Sequence, residues 1–194
     1  IRIMFENWNS LGICTQSWKL DRLNFLIKHL NIDIVAGCEC QTDWTFVNSD
    51  HQFHSLLSPG RAKKGIVAHN TTERIHRDQM GGTAITGVGR ICDVITEVGQ
   101  DSTGLGRWSW ITLHGGTTTT RIISAYLPRK PNRHSKGRTV WEQHSRYFEQ
   151  NGDMRYPSTI FIDDLLQVIS KWSTAGDHVI LSIDANQDVY SGKL

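Results

Sequence analysis

No run of about 18 apolar residues occurs in this 194-residue chain, so no stretch reads as a membrane-spanning helix. The opening IRIMFENWNS is charged and polar and lacks the apolar stretch of a secretory signal. Neither sign of charge prevails: 21 basic against 19 acidic residues leave a formal net charge of +2. A polyanion would therefore meet a local patch and not a uniformly basic molecule. Cysteine is scarce. Cys14, Cys38, Cys40 and Cys92 in a chain this long make no disulfide scaffold, and a reducing compartment, nucleus or cytoplasm, is expected. Cys38 and Cys40 with His51 and His54 do not have the spacing usual for zinc, so small buried thiols are the expectation.

What is present is core material. Hydrophobic residues make up 38% of the chain. Ile1, Ile3 and Phe5 alternate with Arg2, Met4 and Glu6 at strand spacing. From Trp18, Leu20, Leu23, Leu26, Ile27 and Leu30 fall at helical spacing, with Ser17 as the expected cap. IDIVAGCE at 32–39 reads as a second, buried strand. An opening β–α–β favours parallel pairing through a right-handed crossover. Further strands are expected at GIVAH (65–69), GGTAITGV (81–88) and CDVITEVG (92–99), and a hairpin at 109–128 through Gly115-Gly116. Along that last strand Ile122, Ser124 and Tyr126 share one face, and Ile123, Ala125 and Leu127 the other. Helices are expected from about Thr139 to Gln150, and from about Ser158, as N-cap, to Thr174, stopped by Gly176. VILSID (179–184) closes the series as a strand. No repeat or linker divides the chain, so residues 1–194 read as one α/β domain.

In open α/β sheets, functional groups collect where strands leave the sheet at their carboxyl ends. The first strand ends in Asn7 and Asn9, the second in Glu39, the 120–128 strand in Tyr126. The last delivers Asp184, Asn186 and Asp188 at alternate positions. If these strands lie side by side, the tips form an oxygen-rich site suited to Mg²⁺ or Mn²⁺ and not to zinc. Each residue also has a plainer reading. Glu39 suits a solvated strand terminus. Asp184 and Asn186 suit an Asx turn, and Asn7 a side chain that satisfies a backbone turn. Tyr126 suits half-buried packing with one hydrogen bond. Composition and spacing leave both readings open.

The order of the motifs decides further. IMFENWNSLG, DIVAGCEC, GGTAI, IISAYLP and SIDANQD, in that sequence along the chain, resemble the endonuclease/exonuclease/phosphatase superfamily. That group includes DNase I-like nucleases, abasic-site endonucleases and inositol-phosphate phosphatases. The chain is most similar to the abasic-type endonuclease domains of non-LTR retrotransposons. The resemblance implies a DNase I-like four-layer sandwich, two packed mixed sheets with outer helices, and a Mg²⁺-dependent phosphodiester hydrolase, a nicking DNA endonuclease of a mobile element. It implies Glu39 as principal metal ligand and Asn7 as the neighbour that orients it and helps hold the metal. Tyr126 would touch the scissile phosphate. Asp184 would orient and deprotonate the attacking water, and Asn186 would position that water or the phosphate. Asn9 stands where many relatives have Asp or Asn, and is expected to contact substrate.

The chain departs from the family pattern in four places. Cys38 replaces the Gln that often precedes the Glu. Ser182-Ile183 stand where small residues or Gly precede the Asp. Arg129 follows the Tyr strand where nucleases often have Asn, and still suits phosphate as a charge-assisted fork. The S-D-H motif of the last family strands is absent, so the sandwich is expected to be incomplete at its C-terminal side, with a free sheet edge. Arg129, Lys130, Arg133, His134, Lys136 and Arg138 form a basic loop directly after the Tyr126 strand, which suits DNA. The expected partners are DNA and a reverse transcriptase or further segment of the same polypeptide. Two alternatives stand: a silent nucleic-acid-binding or assembly module, and a phosphatase on small phosphorylated substrates.

Overall fold

A computed structural model describes residues 1–11, 17–73, 79–131 and 138–187. The elements run β1 (Ile3–Asn7), α1 (Trp18–His29), β2 (Ile34–Cys38), α2 (Phe53–Leu56), β3 (Lys63–Ala68) and β4 (Thr83–Val88). They continue with β5 (Ile95–Gln100), β6 (Trp108–Gly115), β7 (Thr118–Tyr126), α3 (Val140–Gln150), α4 (Pro157–Thr174) and β8 (His178–Asp184). Two four-stranded mixed sheets form, ordered β1-β2-β4-β3 and β5-β6-β7-β8. The expected α/β architecture of two sheets with helices is what the chain adopts.

Packing follows from the residue patterns. All five residues of β2, IVAGC, are buried. Val35 faces the outer layer with Leu20, Leu23 and Ile27 of α1. Ile34 and Ala36 face the second sheet and meet Ile85, Ile111 and Ile122. On the far side, Ile123, Ala125 and Leu127 of the β7 strand and its exit pack with Phe161, Leu165 and Trp172 of α4. The face assignment along β7 thus holds. Removing a ring such as Phe161 from this core would cost about 3–5 kcal/mol. The sheets are also pinned by a hydrogen bond: Ser124 Oγ donates to the Gly37 carbonyl at 2.9 Å. Gly37 admits no side chain, since a Cβ would stand 2.5 Å from the Trp8 ring.

Several local expectations change. CDVITEVG is not one strand: Gly89–Val94 coils as a 3₁₀ helix and only Ile95 starts β5. A side chain at Gly87 would meet Ile95 at 2.4 Å and Ile91 at 2.9 Å, so the coil packs down onto a position that only glycine fits. Ser17 precedes α1, but its hydroxyl donates to the Leu11 carbonyl instead of capping the helix. Ser158 lies inside α4; the N-cap is Tyr156, because Pro157 fits the first helical position, where no amide hydrogen is needed. Cys38 and Cys40 are buried and unpaired, as expected, while Cys92 is half-buried and Cys14 lies outside the described residues.

Two polar arrangements hold the ends of the sandwich. Lys19, in the first turn of α1, donates to three carbonyls of the chain leaving β1: Trp8 at 2.6 Å, Asn9 at 2.7 Å and Ser10 at 2.7 Å. Elsewhere the buried Arg107 guanidinium forks onto Asp101 at 2.7 and 2.9 Å and reaches Asp164 of α4 at 2.8 Å. Burial pushes the Asp101 carboxyl up, but the Arg107 fork outweighs it and holds the group below the ordinary carboxylate range. His144 of α3 is buried in the same region. Burial, and then the charge of Arg107, push its pKa down to about 3.

Two outcomes are expected. Lys19→Ala leaves three carbonyls without their ammonium donor and should destabilise the fold by roughly 1.5–3 kcal/mol, read from urea denaturation; an unchanged midpoint would show that the clamp is idle. His144 is neutral in the folded state and charged in the unfolded chain below its ordinary pKa, so its contribution is present near neutrality and fades as pH falls from about 6.5 toward 3. The slope should approach about 1.4 kcal/mol per pH unit, and His144→Leu should flatten it in denaturation series at successive pH values.

Candidate active site

β1 and β2 run parallel, with Asn7 opposite Cys38, and β7 and β8 run parallel, with Tyr126 opposite Asp184. The carboxyl ends of all four strands therefore meet at one end of the sandwich. β1 and β8 are edge strands of different sheets, yet Asn7 Nδ2 donates to Asp184 Oδ2 at 2.6 Å. Asp184 Oδ1 accepts from the Asn186 backbone amide at 3.0 Å. The Tyr126 hydroxyl lies beside the Glu39 and Asn186 side chains. Asn7, Asp184, Asn186, Tyr126 and Glu39 thus form a continuous polar chain across both sheets. The four expected strand tips are brought together.

Asn186 arrives there differently from the sequence expectation. The strand ends at Asp184, and Asn186 has φ 48, so alternation does not continue. The turn aims its Nδ2 at the Leu127 carbonyl, 2.9 Å away, which fixes the amide beside Tyr126. Asp188 lies outside the described residues. The backbone is strained around the whole site. Seven described residues other than glycine have positive φ, and five of them are Asn9, Ser10, Glu39, Gln41 and Asn186. Such conformations cost about 1–2 kcal/mol each and persist only where the surroundings over-determine them. Here they are over-determined. Ser10 N donates to Glu39 O at 2.9 Å and Gln41 N to Gly81 O at 2.9 Å, and Lys19 grips the other side of the β1 exit.

Lys19 was not among the expected site residues. The signal available was a local conflict: a cation in the first turn opposes the helix dipole, so it had to serve something else. Asn9 contributes through its main chain, its amide donating to Asn7 Oδ1 at 2.9 Å. A second pair escaped the sequence reading as well. His69, directly after β3 at the same end, has Nε2 3.1 Å from Asp43 Oδ1.

Charge accumulates at the polar chain. Burial, then the Glu39 carboxylate beside it and the charge of Asp184, raise the Tyr126 hydroxyl well above the ordinary phenol range. Burial, then Asp184 and Glu39, likewise raise the Cys38 thiol far above the ordinary range. Both groups stay protonated at neutral pH. Among the described residues neither carboxylate has a salt-bridge partner, so neither is neutralised by direct contact with a cationic side chain. A hard cation would do so. Mg²⁺ keeps several waters and binds through one or two carboxylates, which Glu39 fits. The amide of Asn7 is already engaged with Asp184 and Asn9, which suits orienting more than ligation. No cluster of three or more His, Cys, Asp or Glu among the described residues would hold a metal unaided.

A cleft of about 270 Å³ opens beside this chain, lined by Glu39, Gln41, Tyr126, Arg129, Lys130 and Thr139 among others. Arg129 and Lys130 are exposed on its rim, as the basic-loop reading expects. Arg133 lies outside the described residues, as do His134 and Lys136. No helix among the described residues is long and apolar enough to cross a membrane.

The sequence matches no protein-family model and no curated protein. Solved structures do match. The APE2 catalytic domain of Xenopus laevis is 13% identical, with a TM-score of 0.53 over 96% of this chain and 59% of that one. The 3'-5' exonuclease NExo from Neisseria meningitidis is 17% identical, with a TM-score of 0.51 over 95% of this chain and 57% of that one. The human Nocturnin catalytic domain, solved with a bound sulfate anion, is 15% identical, with a TM-score of 0.51 over 98% and 67%. The chain spans less than two thirds of the length of the Xenopus and Neisseria structures. At these identities what is shared is the fold, a DNase I-like α/β sandwich.

Proposed function

We propose that this chain is the catalytic portion of a metal-dependent phosphodiesterase, a Mg²⁺-dependent DNA endonuclease that nicks its substrate. The observation that carries this reading is the polar chain from Asn7 through Asp184, Asn186 and Tyr126 to Glu39. Phosphodiester hydrolysis builds negative charge on the phosphoryl and leaving oxygens, and a divalent cation held by Glu39 would neutralise it as a Lewis acid. The remaining roles belong to side chains. Asn7 fixes Asp184 by its amide, leaving the carboxylate to accept the proton of the attacking water. Asn186 orients that water or a phosphate oxygen. Tyr126 keeps its proton and donates it as a fixed hydrogen bond to the phosphate, as preorganised donors do. Arg129 and Lys130 hold the flanking backbone, a contact type that supplies most sequence-independent DNA affinity.

DNA is favoured over a small phosphate because the cleft is open and its cations sit on the rim. The similar Neisseria meningitidis structure is a 3'-5' exonuclease, which agrees with this choice. A mobile-element origin, next to a reverse transcriptase, rests on the style of the FENWNSLG and SIDANQD motifs.

One observation favours a second reading. β8 is an edge strand with Ile180 41% and Leu181 40% exposed, one toward each face of the sheet. Further strands paired along β8 would cover both and complete the domain. Until they do, the chain would bind DNA without turning it over.

Plasmid nicking separates the readings. Supercoiled DNA with Mg²⁺ should be relaxed by the protein, and Glu39→Gln and Asp184→Asn should each lower the rate by at least ~100-fold. Activity that survives both changes refutes the assignment. DNA binding without nicking by this chain, with nicking gained in a polypeptide extended past β8, supports the second reading. Faster release of phosphate from soluble inositol phosphates than nicking of plasmid would point to a phosphatase.

A further inference from the structure

The cleft continues onto an aromatic shelf that the proposed chemistry does not use. Lys130, on the rim, places Nζ 4.9 Å from the centre of the Tyr156 ring. Trp141 stands next to that ring, centroids 6.2 Å apart and planes tilted by 42°. Tyr156 is 64% exposed and Met154 beside it 79% exposed. The exposed Tyr156 and the half-buried Trp141 are not explained by the core, since neither belongs to a core cluster.

Both rings are presented rigidly. Tyr156 is the N-cap of α4, where its own carbonyl accepts from Ile160 at 3.1 Å and Pro157 fixes the next φ. Trp141 is the second residue of α3, whose start is locked by the Thr139–Glu142 capping box. Thr139 and Val140 line the cleft itself. The shelf is therefore continuous with the site that holds Glu39 and Tyr126. Its cation is Lys130. Arg155, also nearby in sequence, is neutralised by Asp153 and Asp163, each at 2.7 Å.

A cation and an exposed tyrosine ring backed by a half-buried tryptophan match one ligand chemistry, a phosphate joined to a planar base. A base inside an uninterrupted duplex offers only its edge, because its faces are stacked. We propose that the Trp141–Tyr156 shelf stacks an unpaired base of the nucleotide flanking the phosphate in the cleft, with Lys130 on its phosphate, so the protein prefers single-stranded or locally unpaired DNA. This rests on reading the cleft as a phosphate site. Aromatic stacking of this kind tolerates any base and adds to backbone charge contacts.

Binding in EDTA tests the shelf apart from catalysis. Fluorescence anisotropy would compare an oligothymidylate of roughly 12 nucleotides, within the site sizes of such grooves, with a blunt duplex of equal length at one salt concentration. Tyr156→Ala should weaken single-strand binding by roughly 5- to 100-fold and leave duplex binding within about 2-fold, since phosphate contacts remain. Tyr156→Phe keeps the ring and should bind as the parent does. An Ala variant that holds the single strand as tightly as the parent overturns the shelf, and so does equal weakening on both DNAs. A parent protein that discriminates single strand from duplex in this way but never nicks plasmid removes the nuclease reading and leaves the shelf standing.

Discussion

A 2.6 Å hydrogen bond from the Asn7 amide to Asp184 joins the edge strands of two different sheets. The carboxyl ends of β1 and β8 need to be level for it to form. That level is set by the packing of Ile34, Ala36, Ile85, Ile111 and Ile122 between the sheets and, two residues from Glu39 and Tyr126, by the Ser124–Gly37 bond. A one-residue slip of either strand would turn Asn7 or Asp184 to the opposite face. The hydrophobic sandwich therefore acts as a gauge for polar groups it never touches. Glu39 and Tyr126 join through the same registers, each one strand inward from the edge.

The strained exits of the strands add a second constraint. Extended backbone would carry Glu39 and Asn186 onward along their strands, alternating faces. Left-handed residues bend the chain back at once and hold each polar tip over the sheet end. The backbone hydrogen bonds from Ser10 and Gln41, with the Lys19 ammonium, offset the conformational cost. Strain and restraint on this scale, gathered at one end of an otherwise regular fold, mark where the molecule departs from the most stable arrangement available to it.

Much of this was legible from residue order. β2 was plain because IVAGC is buried on both faces and so reads as an unbroken apolar run. β7 was plain because its two faces meet different cores, so Ile122 and Ile123 both had to be apolar. The convergence of residues 7, 39, 126 and 184 followed from parallel pairing. What stayed hidden depends on contacts distant in sequence. Nothing near Ser17 tells that its hydroxyl is drawn to Leu11, and nothing near Arg107 tells that Asp164 comes to meet it. The Gly89–Val94 coil was hidden because Cys92, Val94 and Thr96 imitate strand alternation. Of the two local readings of Asn186, the Asx turn with Asp184 is the one adopted, and the strand alternation is not.

Cys38 sits where a thiol would ordinarily be a weakness, one residue from Glu39. It is fully buried, and the two carboxylates make its ionisation harder still. Alkylating reagents and peroxide attack the thiolate, which this environment withholds. The sulfur beside the carboxylates thus behaves chiefly as a buried filler. A thiol that looks chemically exposed in the sequence is kept protonated first by its burial and then by the charge of the groups it adjoins.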